Sequence, residues 1–271
     1  MGMSDVWHLK RLVACVVALA IVAVAEPAHL FAETQQLDTA LIVSVDVSNS
    51  VDDARYKLQM EGIAQALEDP SVIDAIIGGP NGGILFSLVT WADKPVIALP
   101  WAKITSAVEA LAVAAKVRHL PLQGGDFTCV TRMLRMANDK IVPQIPTRVL
   151  RTVIDVSGDG RDNCNADEKI DTIRDELVLS GVTINGLPIL LGDEQAGRPP
   201  PTAQVASPAD PSGLEAWYRG HVQGGNGSFV LPAHGYEDFA RAIRQKFVIE
   251  ISGAPYPQHL AKAGTGATLV R

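Results

Sequence analysis

An aspartate and two serines at alternate positions form the segment of the chain best suited to chemistry. Asp46, Ser48 and Ser50 lie where a mostly apolar run over positions 41–47 ends, and such a run is typical of a strand covered on both faces. Side chains at alternate positions there can face one point. One carboxylate and two hydroxyls offer only hard oxygen ligands, which suit Mg²⁺ or Mn²⁺ and suit zinc or copper poorly. The spacing therefore predicts a cation site at the end of a strand.

Two later segments add polar side chains that can join the same site. Thr128 ends the loop Gly-Gly-Asp-Phe-Thr, and Asp159 lies in Ser-Gly-Asp-Gly, which follows another apolar run. Each has an ordinary alternative, a helix cap for the threonine and a turn for the second segment. Ligands of an open, mostly parallel sheet bind beyond the carboxyl ends of its strands, so the three segments together predict one site.

The elements that must position these residues alternate between apolar runs and helical patterns, which is typical of an α/β domain. The runs over 84–91 and 96–99 are separated by a short turn, and they predict a hairpin. Asn165 with Glu168 resembles a capping box that opens a helix. Further strands are predicted over 149–156, 182–191 and 228–231, and further helices after residue 50 and over 105–118, 130–141, 214–218 and 236–247.

The N-terminus has the pattern of a secretory signal peptide. Lys10 and Arg11 precede an uncharged apolar run over 12–25, and small residues follow it. That run is shorter than the roughly 20 residues that a spanning helix needs, so we expect no stable membrane span after cleavage. Cleavage after Ala25 or after Ala32 fits the pattern, and the protein is expected to be secreted or periplasmic. The predicted organisation is a signal peptide over 1–32, a domain over 33–252 with a Pro-rich loop over 192–213, and a disordered tail over 253–271.

Composition narrows the class of partner. The chain has 271 residues, of which 47% are hydrophobic and 20% charged, so it can bury one good-sized core. Its formal net charge is −7, and no Lys/Arg cluster follows the N-terminus. These features argue against nucleic acid and anionic lipid as partners and favour basic ligands or metal ions.

Cysteine usage depends on export. Removal of the signal peptide takes away Cys15 and leaves Cys129 and Cys164 in an oxidising compartment. Either the two form a disulfide, or each is a separate buried thiol, and both arrangements are common.

The three polar segments resemble the metal ion-dependent adhesion site of the von Willebrand factor type A (vWA) superfamily. That pattern is Asp-x-Ser-x-Ser, then a threonine, then an aspartate, and the resemblance covers about residues 39–250. A bacterial secreted branch of unknown function is the most similar, through Asp-Val-Ser-Gly-Asp-Gly160, Thr-Ile-Asn-Gly-Leu-Pro-Ile189 and Gly-Gly-Asn-Gly-Ser-Phe-Val230. The resemblance implies a doubly wound, mostly parallel central sheet with helices on both faces and one antiparallel edge strand.

It also implies roles for individual residues. Ser48, Ser50 and Thr128 would contact the metal, while Asp46 and Asp159 would act largely through water or hydrogen bonds. The family usually has its threonine two residues after a glycine, whereas two residues separate Gly125 from Thr128, so Thr131 is an alternative third hydroxyl. We prefer Thr128 because it starts the helix.

The same resemblance gives the cysteines a place. Cys129 follows the proposed threonine ligand and Cys164 comes five residues after Asp159, so both belong to loops that converge on the metal. A disulfide between them is therefore predicted.

The function implied is a module that binds Mg²⁺ or Mn²⁺ and, through the cation, an acidic side chain of a protein partner. One alternative is a Mg²⁺-dependent hydrolase with Asp46 as nucleophile. Such phosphatases resemble Asp-x-Asp, and Ser48 stands here where their second carboxylate acts as acid or base. The other alternative is a metal-free structural or assembly protein that keeps the fold.

Overall fold

A six-stranded sheet organises the part of the chain that the computed structural model describes, which is residues 36–164, 166–192 and 213–253. The predicted signal peptide, residues 193–212 of the predicted Pro-rich loop and residues 254–271 of the predicted tail lie outside these ranges. The strands are β1 (Leu37–Asp46), β2 (Ile84–Trp91), β3 (Val96–Ile104), β4 (Val149–Gly158), β5 (Val182–Leu190) and β6 (Ala233–His234). Their order in the sheet is β3-β2-β1-β4-β5-β6, with β3 antiparallel to β2 and all other pairs parallel.

Within the described ranges, seven α-helices accompany the strands. They are α1 (Asp53–Glu68), α2 (Pro70–Ile77), α3 (Ala107–Arg118), α4 (Val130–Met136), α5 (Ile170–Leu179), α6 (Leu214–Trp217) and α7 (Phe239–Ser252). Two of them continue into π-helical turns, Ala137–Ile141 after α4 and Tyr218–Val222 after α6, and a 3-10 turn over Tyr236–Asp238 leads into α7. Among the described residues, no helix combines the length and hydropathy that crossing a membrane requires.

Both faces of the sheet are covered, as predicted. Along β1, Leu41, Val43 and Val45 belong to one core cluster and Ile42 to the other, because successive side chains of a strand point to opposite faces. Helices α1, α2, α3 and α7 pack in the first cluster, and α4, α5 and α6 pack in the second. The fold class is therefore α/β and doubly wound.

The topology places a binding position at the end of β1. Strand β1 pairs with β2 on one side and with β4 on the other, so the strand order reverses there. Clefts at such reversals, beyond the carboxyl ends of the strands, are where open α/β sheets bind ligands. Asp46 ends β1, and Asp159 follows β4 directly.

Three local predictions were wrong or incomplete. Residues 228–231 form no strand: Val230 makes one isolated bridge to Gly186, and the edge strand is β6 instead. Helix α5 begins at Ile170 with Lys169 as its N-cap residue, so Glu168 lies before the helix. Helix α2 was not predicted. It begins at Pro70 because Asp69, which ends α1, accepts a hydrogen bond from the Ser71 backbone N–H and caps the next helix.

A group of charged side chains lies inside the core beneath β4. Lys246 Nζ is 3.0 Å from Glu250 Oε1 and 3.5 Å from Asp155 Oδ1, and all three side chains are fully buried. Asn185 Nδ2 donates to Glu250 Oε1 at 2.8 Å. The Lys246 ammonium also lies 4.4 Å from the centroid of the Phe229 ring. Burial, and then the charge of Glu250, raise the pKa of Asp155 well above its ordinary value.

Candidate metal centre

Asp46 has a buried carboxyl group, and one of its two oxygens has no hydrogen-bond partner. Its Oδ1 accepts a hydrogen bond from the Ser48 backbone N–H at 2.8 Å, whereas its Oδ2 is buried and has no hydrogen-bond partner. Burial, and then the charge of Asp159, raise the pKa of Asp46 from 3.8 to about 8. A buried, unpartnered carboxylate oxygen is costly, and a cation nearby offsets that cost.

Three hydroxyl groups stand beside this carboxylate. Ser48 Oγ lies 3.2 Å from Ser50 Oγ and 3.2 Å from Thr128 Oγ1. Two ligands at right angles on a Mg²⁺ ion are about 3.0 Å apart, since each lies about 2.1 Å from the metal. The two spacings therefore match neighbouring positions of one octahedron.

Asp159 completes the group from the end of β4. Ser50 Oγ donates to Asp159 Oδ1 at 2.7 Å, and the Tyr236 hydroxyl donates to Asp159 Oδ2 at 3.0 Å. Burial, and then the charge of Asp159, raise the pKa of Tyr236, so its hydroxyl keeps the proton that it donates. Both oxygens of this carboxylate are thereby oriented by hydroxyl groups.

Two glycines allow the backbone of the Ser-Gly-Asp-Gly segment to lie close to the side chains of Asp46 and Thr128. A Cβ atom at Gly158 would lie 2.9 Å from the Tyr218 hydroxyl and 3.0 Å from Asp46 Oδ2. A Cβ atom at Gly160 would lie 3.2 Å from Thr128 Oγ1. A side chain at either position would clash with groups of the site. The backbone of this segment can therefore pack against the carboxylate and hydroxyls only because both residues are glycine.

The two candidate threonines have different surroundings. Thr128 Oγ1 contacts Ser48 Oγ, whereas the Thr131 hydroxyl and backbone N–H both donate to Asp162 Oδ2. Only Thr128 is thus placed with the serines. The Thr128 backbone N–H donates to Asn163 Oδ1 at 2.8 Å, which ties its loop to the loop after β4.

A disulfide joins the same two loops. Cys129 and Cys164 are bonded, and their Cα atoms are 5.3 Å apart. Asp162 lies close enough that its carboxylate and the two sulfur atoms fall within 4.8 Å of one another. Because each sulfur is bonded to the other, neither is a free thiolate, and this trio offers no second metal site while the disulfide is intact.

The family follows from a match over most of the chain. A family model described as "Protein of unknown function (DUF1194)" matches residues 36–255. The chain belongs to the DUF1194 family. No curated protein matches it in sequence.

Solved structures identify the fold of this DUF1194 member as that of a vWA domain. Proximal thread matrix protein 1 from the mussel byssus is 14% identical with a TM-score of 0.52, and the match covers 80% of this chain and 48% of that one. A vWA domain protein from Catenulispora acidiphila is 15% identical with a TM-score of 0.53, and the match covers 79% and 43%. The chain thus spans less than half the length of these two proteins. BatB from Bacteroides thetaiotaomicron is 15% identical with a TM-score of 0.52, and the match covers 80% of this chain and all of that one.

Sequence reasoning missed the side chains that support the site from distant elements. The sequence places Tyr236 only at the start of a predicted helix over 236–247, yet its hydroxyl donates a hydrogen bond to Asp159. The Arg55 guanidinium donates to the Ser50 backbone oxygen and lies 5.3 Å from the centroid of the Tyr236 ring. Nothing near either residue in the sequence signals these contacts, because they depend on how α1 packs against the 3-10 turn before α7.

The residues of this DUF1194 site fit a hard divalent cation. The donor atoms are hydroxyl and carboxylate oxygens, which Mg²⁺ and Mn²⁺ prefer. A nearby cation would stabilise Asp46 Oδ2, which is buried and has no hydrogen-bond partner. Ser48, Ser50 and Thr128 are the groups that would hold such an ion directly, with Asp46 and Asp159 around them.

Proposed function

We propose that this DUF1194 member is a secreted or periplasmic module that holds Mg²⁺ or Mn²⁺ at Asp46, Ser48, Ser50, Thr128 and Asp159. Through the cation it binds an acidic side chain of a protein partner. The observation that carries the proposal is the 3.2 Å spacing of the Ser48 hydroxyl from the hydroxyls of both Ser50 and Thr128, beside the unpartnered Asp46 Oδ2. Neutral hydroxyl ligands leave most of the positive charge on the ion, so it attracts a carboxylate from outside.

Binding is better supported than hydrolysis at this site. Asp46 is only 1% exposed, which denies a substrate access to it as a nucleophile. The residue two positions later is Ser48, whose hydroxyl already contacts two other hydroxyls and cannot act as a general acid or base at neutral pH. A phosphatase assay with Mg²⁺ tests this choice, because turnover that Asp46→Asn abolishes would favour the hydrolase.

The disulfide supports the location. Structural disulfides persist in oxidising compartments, which include the periplasm and the cell exterior. We therefore propose that the N-terminal signal peptide directs export before the Cys129–Cys164 bond forms.

Calorimetric titration with Mg²⁺, Mn²⁺ and Zn²⁺ tests the metal site. Zinc is included because one structure of the mussel protein is described as having a zinc-occupied adhesion-site motif. Thr128→Val should weaken Mg²⁺ binding by about tenfold or more. Thr131→Val is the matched control: it removes the hydroxyl of a threonine three residues later, in the first turn of α4, and should leave the affinity unchanged. No heat with any cation, or equal losses in both variants, would contradict the proposed site.

A further inference from the structure

An exposed aromatic side chain stands next to the proposed metal ligand. Phe127 is 51% exposed, whereas Thr128, the next residue, is only 5% exposed. Within the described ranges, Phe127 is the one aromatic among the large hydrophobic side chains that are strongly exposed. Single exposed apolar residues are ordinary on protein surfaces, so exposure alone does not indicate a function for Phe127. Its position beside the proposed metal ligand does.

Hydrogen bonds to the Asp93 side chain fix the backbone of the loop that carries Phe127. Asp93 Oδ2 accepts the Asp126 backbone N–H at 2.7 Å, and Asp93 Oδ1 accepts the Phe127 backbone N–H at 3.0 Å. Gly125 bridges to Ser48, and a Cβ atom there would lie 2.6 Å from Asp93 Oδ2. The backbone before the phenyl ring is therefore held in place before any partner arrives.

An exposed aromatic ring on a fixed backbone suits recognition. Aromatic side chains contribute large apolar contact areas, and they lose little conformational entropy on binding because they have only two rotatable side-chain bonds. Ordering of flexible loops is a main cost of association, and the hydrogen bonds to Asp93 reduce that cost in advance. Both properties are those of an interface anchor.

We propose that Phe127 is a specificity-determining residue of the partner site. It favours partners in which the acidic side chain that reaches the cation has a large apolar neighbour, and that neighbour packs on the Phe127 ring. The inference rests on the proposed function, because the cation fixes where the acidic group lies. The inference adds an apolar residue to the acidic side chain as the second feature that the site recognises in a partner.

Selection from a library of displayed random short peptides tests the inference. Peptides are bound to the full chain in millimolar Mg²⁺ and eluted with EDTA. Against wild type, the eluted peptides should be enriched in Asp or Glu beside Leu, Ile, Phe or Trp. Against Phe127→Ala, the acidic residue should persist and the apolar preference should disappear. A synthetic peptide from the enriched set should bind Phe127→Ala about tenfold more weakly than wild type, measured by calorimetry.

Leu179→Ala is the matched control, since Leu179 is 88% exposed on α5 and is not part of the site. It should leave both the selected peptides and the affinity unchanged, and Mg²⁺ titration should give the wild-type affinity for both variants. Acidic peptides without an apolar preference, or equal affinity for wild type and Phe127→Ala, would overturn the inference and leave the metal-dependent function standing. EDTA-eluted peptides without acidic residues would overturn both.

Discussion

Replacing Asp46 with asparagine should stabilise the metal-free protein while abolishing its response to cations. In the metal-free fold the pKa of Asp46 is about 8, against 3.8 ordinarily. Each pKa unit corresponds to about 1.4 kcal/mol, so at pH 7 the raised pKa lowers the free energy of unfolding by about 4 kcal/mol. Asparagine has no charge to bury, and its side-chain oxygen can still accept the Ser48 backbone N–H. Its amide group keeps an unsatisfied donor, which costs about 1–3 kcal/mol and reduces the gain.

The sign of the pH dependence is fixed by the direction of the shift. Because the pKa is raised on folding, the wild type should lose stability as pH rises from about 4 to about 8, while the unfolded chain ionises and the folded carboxyl does not. The Asp46→Asn variant should lack this decline. Its advantage over wild type should therefore be small near pH 5 and largest near pH 8.

Urea denaturation in EDTA at these two pH values, followed by tryptophan fluorescence, measures the difference. Asp159→Asn is the comparison variant. It leaves the Asp46 carboxyl buried and removes only the smaller of the two causes of its raised pKa, so it should gain less stability than Asp46→Asn. Added Mg²⁺ should raise the free energy of unfolding of wild type and leave Asp46→Asn unchanged. An Asp46→Asn variant that is no more stable than wild type at pH 8 would refute the reasoning from burial.

Three further variants test other parts of the molecule. Replacing Cys129 and Cys164 with alanine opens a loop of 35 residues and should lower the free energy of unfolding by about 4 kcal/mol in the chain-entropy model. Urea denaturation measures this loss relative to the oxidised wild type, and the reduced wild type should show the same loss. Lys246→Met removes the cation of the buried ion pair with Glu250, beside Asp155, and should cost about 3–5 kcal/mol, so an unchanged thermal midpoint would contradict it. Tyr236→Phe removes the hydroxyl that orients a site carboxylate and should weaken Mg²⁺ binding in calorimetry, whereas Tyr56→Phe, whose hydroxyl contacts the Leu120 carbonyl instead, should not.

The sequence was most informative where chemistry and periodicity coincide. The apolar run of β1 predicts a doubly covered strand, and the parallel sheet then brings the residues after β1 and β4 to one edge. Thr128, Asp159 and the two cysteines were predicted because each lies within a loop that the family pattern marks. The structure places these residues close together, and their role in holding a metal ion stays a prediction.

Local patterns failed where a distant side chain decides the backbone. Over 228–231 the Phe229 backbone N–H bonds to the Asn185 side chain, which removes a donor that a strand would use. Glu168 suits a capping box, yet it forms an ion pair with Arg135 of α4, and α5 begins after it. Such competition depends on the packed structure, and spacing along the chain does not report it.

The buried charges also govern how α7 can move. Helix α7 and the turn before it are attached at two places, through Tyr236 to Asp159 and through Lys246 and Glu250 to Asp155 and Asn185. A slide of one helical turn, about 5.4 Å, would break all of these contacts and leave charges unpaired in the core. These contacts therefore oppose any sliding of α7 along the sheet. We therefore expect helix α7 to keep its register with the sheet whether or not the proposed cation site is occupied.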